Sequence, residues 1–185
     1  MGTKRVSAVS LLVRDREEDC AVARPDVSQL DEEARLFSDL YGPLRRFAAV
    51  VGPIDVDPDD LLQEAVAQLL RRRRLTELDE PGAYIRRTMV NLAANHRRRF
   101  ARRRGALARF GASSASANDV YPSDLNDLLR LPPPERAVLY LCEVEGYRYA
   151  EIGRLLGCSE TAARKRALRG RRRLHEALVG EVADG

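Results

Sequence analysis

Residues 149–164 decide how the chain folds, and they read YAEIGRLLGCSETAAR. The apolar residues of the first half recur at spacings of three and four, which predicts a short amphipathic helix from Tyr149 to Leu156. Gly157 should end that helix, as glycine commonly does, and Ser159 is a residue type that caps a following helix. The stretch therefore predicts two helices joined by a tight turn, the geometry of a helix-turn-helix.

The second of these helices should run from about Glu160 to Leu178, and it is rich in arginine. In a helix-turn-helix that binds DNA, the first residues of the second helix enter the major groove. Basic side chains can bind guanine there, glutamate can accept from cytosine, and further arginines suit phosphates. The residues that we expect to contact DNA are Ser159, Glu160, Thr161, Arg164, Lys165 and Arg169. The alternative is a three-helix bundle whose arginine-rich helix is only exposed.

Helical patterns also dominate the rest of the chain, and no segment shows the alternation typical of a strand. Asp57 and Pro58 are typical cap and first-turn residues of a helix, and Gly52 followed by Pro53 should break the helix before it. The spacing of apolar residues predicts further helices over residues 30–51, 58–74, 81–104 and 134–145. On the third of these, a second stripe at spacings of three and four holds Tyr84, Arg87, Asn91, Asn95 and Arg98.

Small polar residues separate the two groups of helices, most clearly over residues 111–118. Such a composition does not bury a core and predicts a flexible linker over residues 106–122. We therefore expect an all-α fold of two small helical domains, residues 29–105 and 123–185, joined by this linker. The second domain holds the helix-turn-helix. Residues 1–28 lack helical periodicity and predict a mostly disordered extension.

Charge is distributed unevenly along the 185 residues, whose net charge is +4. The first 60 residues hold 8 basic and 13 acidic side chains, whereas the remainder is strongly basic, as suits a polyanionic partner. Three cysteines without a close pair favour a reducing compartment. No apolar run approaches a membrane span or a signal peptide, so we expect a cytoplasmic protein without membrane insertion. We find no metal cluster, phosphate loop or nucleophile–base pair, and expect neither a cofactor nor an enzyme.

Four motifs in order give the chain its resemblance to the extracytoplasmic-function class of bacterial RNA polymerase sigma factors. The resemblance covers residues 36 to about 178. The motifs are Asp57-Pro-Asp-Asp-Leu-Leu-Gln-Glu64, Pro81-Gly-Ala-Tyr-Ile-Arg-Arg87 with Asn91-Leu-Ala-Ala-Asn95, Leu131-Pro-Pro-Pro-Glu-Arg-Ala-Val-Leu139, and the helix-turn-helix stretch. A stand-alone DNA-binding regulator and a helical adaptor that binds no DNA are the alternatives.

The resemblance implies a role for each motif. Asp60, Gln63 and Glu64 match positions that bind the clamp of the polymerase β′ subunit. Tyr84, Arg87, Asn91 and Asn95 match the face that meets the −10 strand, where an aromatic ring can stack on an unpaired base; the alternative for Tyr84 is a core position. The helix-turn-helix residues match the reader of the −35 element.

The implied partners are core RNA polymerase, through the clamp and the flap of its β subunit, promoter DNA and an anti-sigma factor. The chain itself makes or breaks no bond. It departs from the family pattern at Val66 and Leu70, where the family often has Phe and Trp. It departs again at Ala163, Ala167 and Gly170, where larger residues are usual, so the last helix should pack closely or be marginal in stability.

Overall fold

The computed structural model describes residues 27–109 and 128–183. These residues form helices and turns without a β-strand. The helices with defined bounds are α1 (Val27–Val51), α2 (Pro58–Leu70), α3 (Pro81–Arg109), α4 (Pro133–Glu143), α5 (Tyr149–Leu156) and α6 (Glu160–Ala183), with a 3-10 turn at Leu75–Glu77. The predicted all-α fold of two helical units with a C-terminal helix-turn-helix is confirmed.

The first unit packs α1, α2 and α3 around an aliphatic core. Its largest fully buried side chains include Leu44, Phe47, Leu62, Ile85 and Met89, and each comes from the apolar stripe of its helix. The boundary between α1 and α2 follows the predicted punctuation. The helix α1 ends just before Gly52, and the carboxylate of Asp57 accepts a hydrogen bond of 2.8 Å from the amide of Asp59.

The second unit packs α4, α5 and α6 around Val138, Leu141 and Ile152. Small residues let α6 approach closely, since Ala163 and Ala167 have no exposed surface. At Gly170 an added Cβ would lie 2.8 Å from a methyl carbon of Leu139. The departure from larger residues on α6 therefore corresponds to close packing of α6 on α4.

Four helix boundaries differ from the prediction by three or more residues. The helix α2 ends at Leu70 instead of residue 74, and α6 continues past residue 178 to Ala183. The helix α1 already begins at Val27, and α3 continues through Gly105 to Arg109. Residues 106–109 are therefore helical, whereas the predicted linker begins at residue 106. A single glycine inside a helix costs only about 1 kcal/mol, which the arginines and alanines on both sides, all good helix formers, can offset. The rest of the predicted linker and nearly all of the predicted extension lie outside the described residues.

The two units pack against each other, with α1 and α3 facing α4 and α5. We call this contact the seam. In it Arg136 of α4 donates a buried hydrogen bond of 2.8 Å to the carbonyl of Val51, at the end of α1. The ring of Tyr140 meets the ring of Phe47 edge-on at 6.0 Å between centroids. Within the described ranges, no helix is long and apolar enough to cross a membrane.

Candidate functional site

The outer face of α2 presents the three residues predicted to bind polymerase. Asp60, Gln63 and Glu64 are all exposed, while Leu62 and its apolar neighbours on the other side of the helix are buried. The one contact within the face is a hydrogen bond of 3.5 Å from Gln68 to Glu64. The structure therefore brings the three side chains together on an open polar surface within one turn of helix.

Asp59 holds this helix against α1, a role that the sequence reasoning missed. Its carboxylate accepts hydrogen bonds from the hydroxyl of Tyr41 at 2.7 Å and from Nε of Arg45 at 3.0 Å. These bonds from Tyr41 and then Arg45 lower the pKa of the Asp59 carboxyl, and the bond to Asp59 raises the pKa of Tyr41. Sequence offers little signal for this network, because Asp59 lies 18 residues from Tyr41 and 14 residues from Arg45.

The predicted −10 face lies along α3, and its members are not equally accessible. Asn91 and Asn95 are exposed, whereas Tyr84 is half-buried and packs against the core. Part of the Tyr84 ring therefore belongs to the core, which was the alternative to a role in DNA binding. The rest of the ring is accessible. Arg87 is exposed but engaged by the second unit.

The guanidinium of Arg87 caps the end of α5. It donates a hydrogen bond of 3.3 Å to the carbonyl of Arg154, one of the last carbonyls of that helix. Gly157 makes room for it, because a Cβ at this position would lie 2.5 Å from Nε of Arg87. Gly157 also has a φ of +64°, which favours glycine. A predicted −10 residue and the turn of the helix-turn-helix therefore touch in this arrangement.

The start of α6 matches the geometry expected of a recognition helix. The hydroxyl of Ser159 accepts a hydrogen bond of 3.1 Å from the amide of Ala162, which makes Ser159 the cap. Thr161 and Lys165 are exposed. Glu160 and Arg164 form an ion pair of 2.8 Å one turn apart. Since exposed pairs contribute little to stability, a base or phosphate could displace either partner at low cost.

Farther along α6 the arginines are paired within the fold. Arg169 and Arg173 bind the two oxygens of the buried carboxylate of Glu135 on α4, at 3.7 and 2.7 Å. Arg171 pairs with Glu143, and it donates a hydrogen bond of 3.2 Å to the hydroxyl of Tyr149. Arg169, predicted to contact DNA, therefore also ties α6 to α4. Only tertiary packing brings these partners together, because 22 or more residues separate them.

Two arginines of the seam are the main residues that sequence reasoning overlooked. Arg136 has only 3% of its surface exposed, and its Nε and Nη1 are buried without a partner among the described residues. Burial, followed by repulsion from Arg97, lowers the pKa of Arg136 to about 10. Arg86, also buried, lies over the ring of Phe47 and 3.7 Å from the carboxylate of Glu145. The seam thus buries charges that are better hydrated when the units separate.

Comparison with known proteins shows that this chain is similar to RNA polymerase sigma factors. Residues 36–105 match the family model for sigma-70 region 2, and residues 128–174 match that for sigma-70 region 4. The RNA polymerase sigma factor CarQ of Myxococcus xanthus is 34% identical over 135 residues, covering 67% of this chain and 75% of that protein. The ECF RNA polymerase sigma factor SigM of Mycobacterium tuberculosis is 28% identical over 164 residues, covering 82% and 79%.

Among solved structures, a similar fold occurs in the sigma factor RpoE from Bartonella quintana, determined in complex with the anti-sigma factor NepR. The TM-score is 0.58 at 19% sequence identity, covering 80% of this chain and 96% of that one. At this identity the likeness concerns the fold.

Proposed function

The chain belongs to the extracytoplasmic-function class of RNA polymerase sigma factors, which direct promoter-specific initiation, and we propose which surface of the chain binds each partner. The first unit binds core polymerase through α2 and the −10 element through α3. The second unit binds the −35 element through α6. The protein acts in the cytoplasm and makes or breaks no bond itself, since the chemistry belongs to polymerase.

The exposed face of α2 is the proposed binding surface for core polymerase. Asp60, Gln63 and Glu64 offer two carboxylates and an amide within one turn, on a helix whose opposite side is buried. The contacts of Asp59 with α1 hold that helix in place without using any of the three side chains. Such a preorganised acidic surface suits a basic partner, which by resemblance is the β′ clamp.

Asn91 and Asn95 are the main residues proposed to bind the −10 element. Both amides are exposed one turn apart, where they can bond the edges of unpaired bases. The accessible part of the Tyr84 ring offers a stacking surface for such a base. Arg87 joins this surface once its hydrogen bond to Arg154 is broken.

The first turns of α6 form the proposed binding surface for the −35 element. Ser159, Thr161 and Lys165 lie exposed at the N-terminus of a helix whose dipole and free amides favour phosphate. Glu160 and Arg164 can exchange their mutual ion pair for base edges. Arg169 is also proposed to contact DNA, in addition to its ion pair with Glu135.

An anti-sigma factor is the proposed regulator of this chain. The structurally similar RpoE was solved with an anti-sigma factor bound. In this chain Arg87 is bonded across the seam, so a partner that held the two units together would favour that bond over a contact with promoter DNA.

Reconstitution with core polymerase tests the proposal. The wild-type chain should bind core polymerase and yield specific transcripts from a promoter library. The double variant D60A/Q63A should lose core binding by at least tenfold. The variant D79A, which removes an exposed acidic group outside α2, should bind as the wild type does. Wild-type protein that binds DNA but not core polymerase would make the chain a stand-alone regulator instead.

A further inference from the structure

The second half of α3 extends beyond the core as an arginine-rich helix. Ala93 is the last buried residue of α3 among those described, and every residue from 97 to 106 is exposed. Residues 97–104 read RRRFARRR, and we call them the arginine arm. The arm contains no acidic residue, so two turns of helix carry six positive charges that no residue of the helix itself neutralises.

The arm differs in its pairing from the other arginine-rich helix, α6. Five arginines of α6 are paired with carboxylates of α4 or of α6 itself, namely Arg164, Arg169, Arg171, Arg172 and Arg173. No arginine of the arm pairs with a carboxylate among the side chains that the structure describes; the bond that Arg102 makes there is a 3.4 Å contact with the carbonyl of Arg98. Arginines four apart on the arm repel each other, which disfavours the free helix and favours binding of an anion.

The register of the arm continues the proposed −10 surface. Starting from Asn91 and Asn95, spacings of three and four lead to Arg98 and Arg102 on the same face of α3. Arg98 follows Asn95 by about 4.5 Å along the helix axis, and Arg102 follows Arg98 by about 6 Å. Arg104 points to the opposite side, where its guanidinium lies over the exposed ring of Phe100.

We propose that Arg98 and Arg102 bind phosphates of the duplex DNA between the −10 and −35 elements, an inference that rests on the proposed function. Two observations favour DNA over an acidic protein surface. The arm continues the face that carries the proposed −10 residues, and the chain leads from it to the unit proposed to bind the −35 element. We therefore expect the DNA between the two elements to pass this side of α3. The contacts hold phosphates and add affinity without reading sequence.

Salt dependence of promoter binding tests this inference on the reconstituted holoenzyme. Each phosphate contact contributes a slope of about −0.9 to log affinity against log salt. The double variant R98Q/R102Q should therefore bind promoter duplex with a slope shallower by about 1.8. Between 50 and 200 mM salt, the wild type should lose about 12-fold more affinity than this variant.

Two controls separate phosphate binding from other roles. The variant R104Q removes one charge from the opposite face and should keep the wild-type slope. The variant R98K/R102K keeps both charges and should restore most of the slope lost in R98Q/R102Q. Core binding and the preferred −10 and −35 sequences should be the same for all variants.

Three outcomes would overturn the inference. One is an equal loss of slope per charge in R104Q, which would mean that the net charge acts without regard to the face. Another is a loss of core binding in R98Q/R102Q, which would assign the arm to the polymerase. The last is a wild-type slope in R98Q/R102Q. Failure of the wild-type holoenzyme to bind any promoter would instead refute the proposed function, which is a separate result.

Discussion

Replacement of Gly157 by alanine should destabilise the fold through backbone strain and through the contact between the two units. The left-handed conformation at φ +64° costs a residue with a Cβ about 1–2 kcal/mol. The new Cβ would also displace the guanidinium of Arg87, now 2.5 Å from that position, and break its exposed bond to Arg154. Such a bond contributes about 0.5–1 kcal/mol. The free energy of unfolding should therefore fall by about 2 kcal/mol.

Gly146 provides the matched control. It has a φ of +73°, yet no heavy atom lies within 4 Å of the position that a Cβ would take. The variant G146A should thus show the conformational cost alone, about 1–2 kcal/mol. Urea denaturation of the full chain, followed by far-ultraviolet circular dichroism, measures both variants at the same pH.

A double-mutant cycle with R87A isolates the contact between the units. In the R87A background G157A should cost about 0.5–1 kcal/mol less than in the wild type, because the displaced group is absent. The cost of G146A should not change in that background. An identical cost of G157A in both backgrounds would show that Arg87 does not contact the turn of the helix-turn-helix in solution.

Three further perturbations test the packing and the charges. G170A should lower the unfolding free energy by about 1 kcal/mol, because overpacking against Leu139 exceeds the gain in helix propensity. In an L139A background the same substitution should become neutral or stabilising. Destabilisation by G170A that persists in L139A would contradict this explanation. E135Q should lower the unfolding free energy by about 1–2 kcal/mol, because two arginines of α6 lose a buried charged partner. An unchanged midpoint of urea denaturation would show that these ion pairs contribute nothing to stability. D59N should lower the melting temperature at pH 7. Since the folded-state pKa of Asp59 is depressed, its stabilisation is fully present above the unfolded-state pKa of about 3.9 and is lost as the pH falls through the lower folded-state pKa. The two proteins should therefore converge in acid, and a difference that persists there would count against the ion pair.

Local patterns predicted much of the helical architecture and where its polar faces lie. The cap at Asp57, the left-handed Gly157 and the cap at Ser159 all follow from residue type and position, because helix starts and stops depend on bonds between residues a few positions apart. The same locality placed Asp60, Gln63 and Glu64 on one outer face. It erred at Gly105, where the helix propensity of the neighbouring residues outweighs the cost of a single glycine.

Amphipathic helices and a helix-turn-helix near the C-terminus could be read from the amino-acid sequence, because apolar spacing and capping act within one or two turns. Which charges pair inside the fold depends instead on how the helices pack. Arg136 meets the carbonyl of Val51 across 85 positions, and Arg173 meets Glu135 across 38. Such pairs depend on the crossing of helices distant in sequence, which no local pattern specifies. That packing leaves the arginine arm of α3 without a carboxylate partner among the described side chains, although by composition it resembles α6.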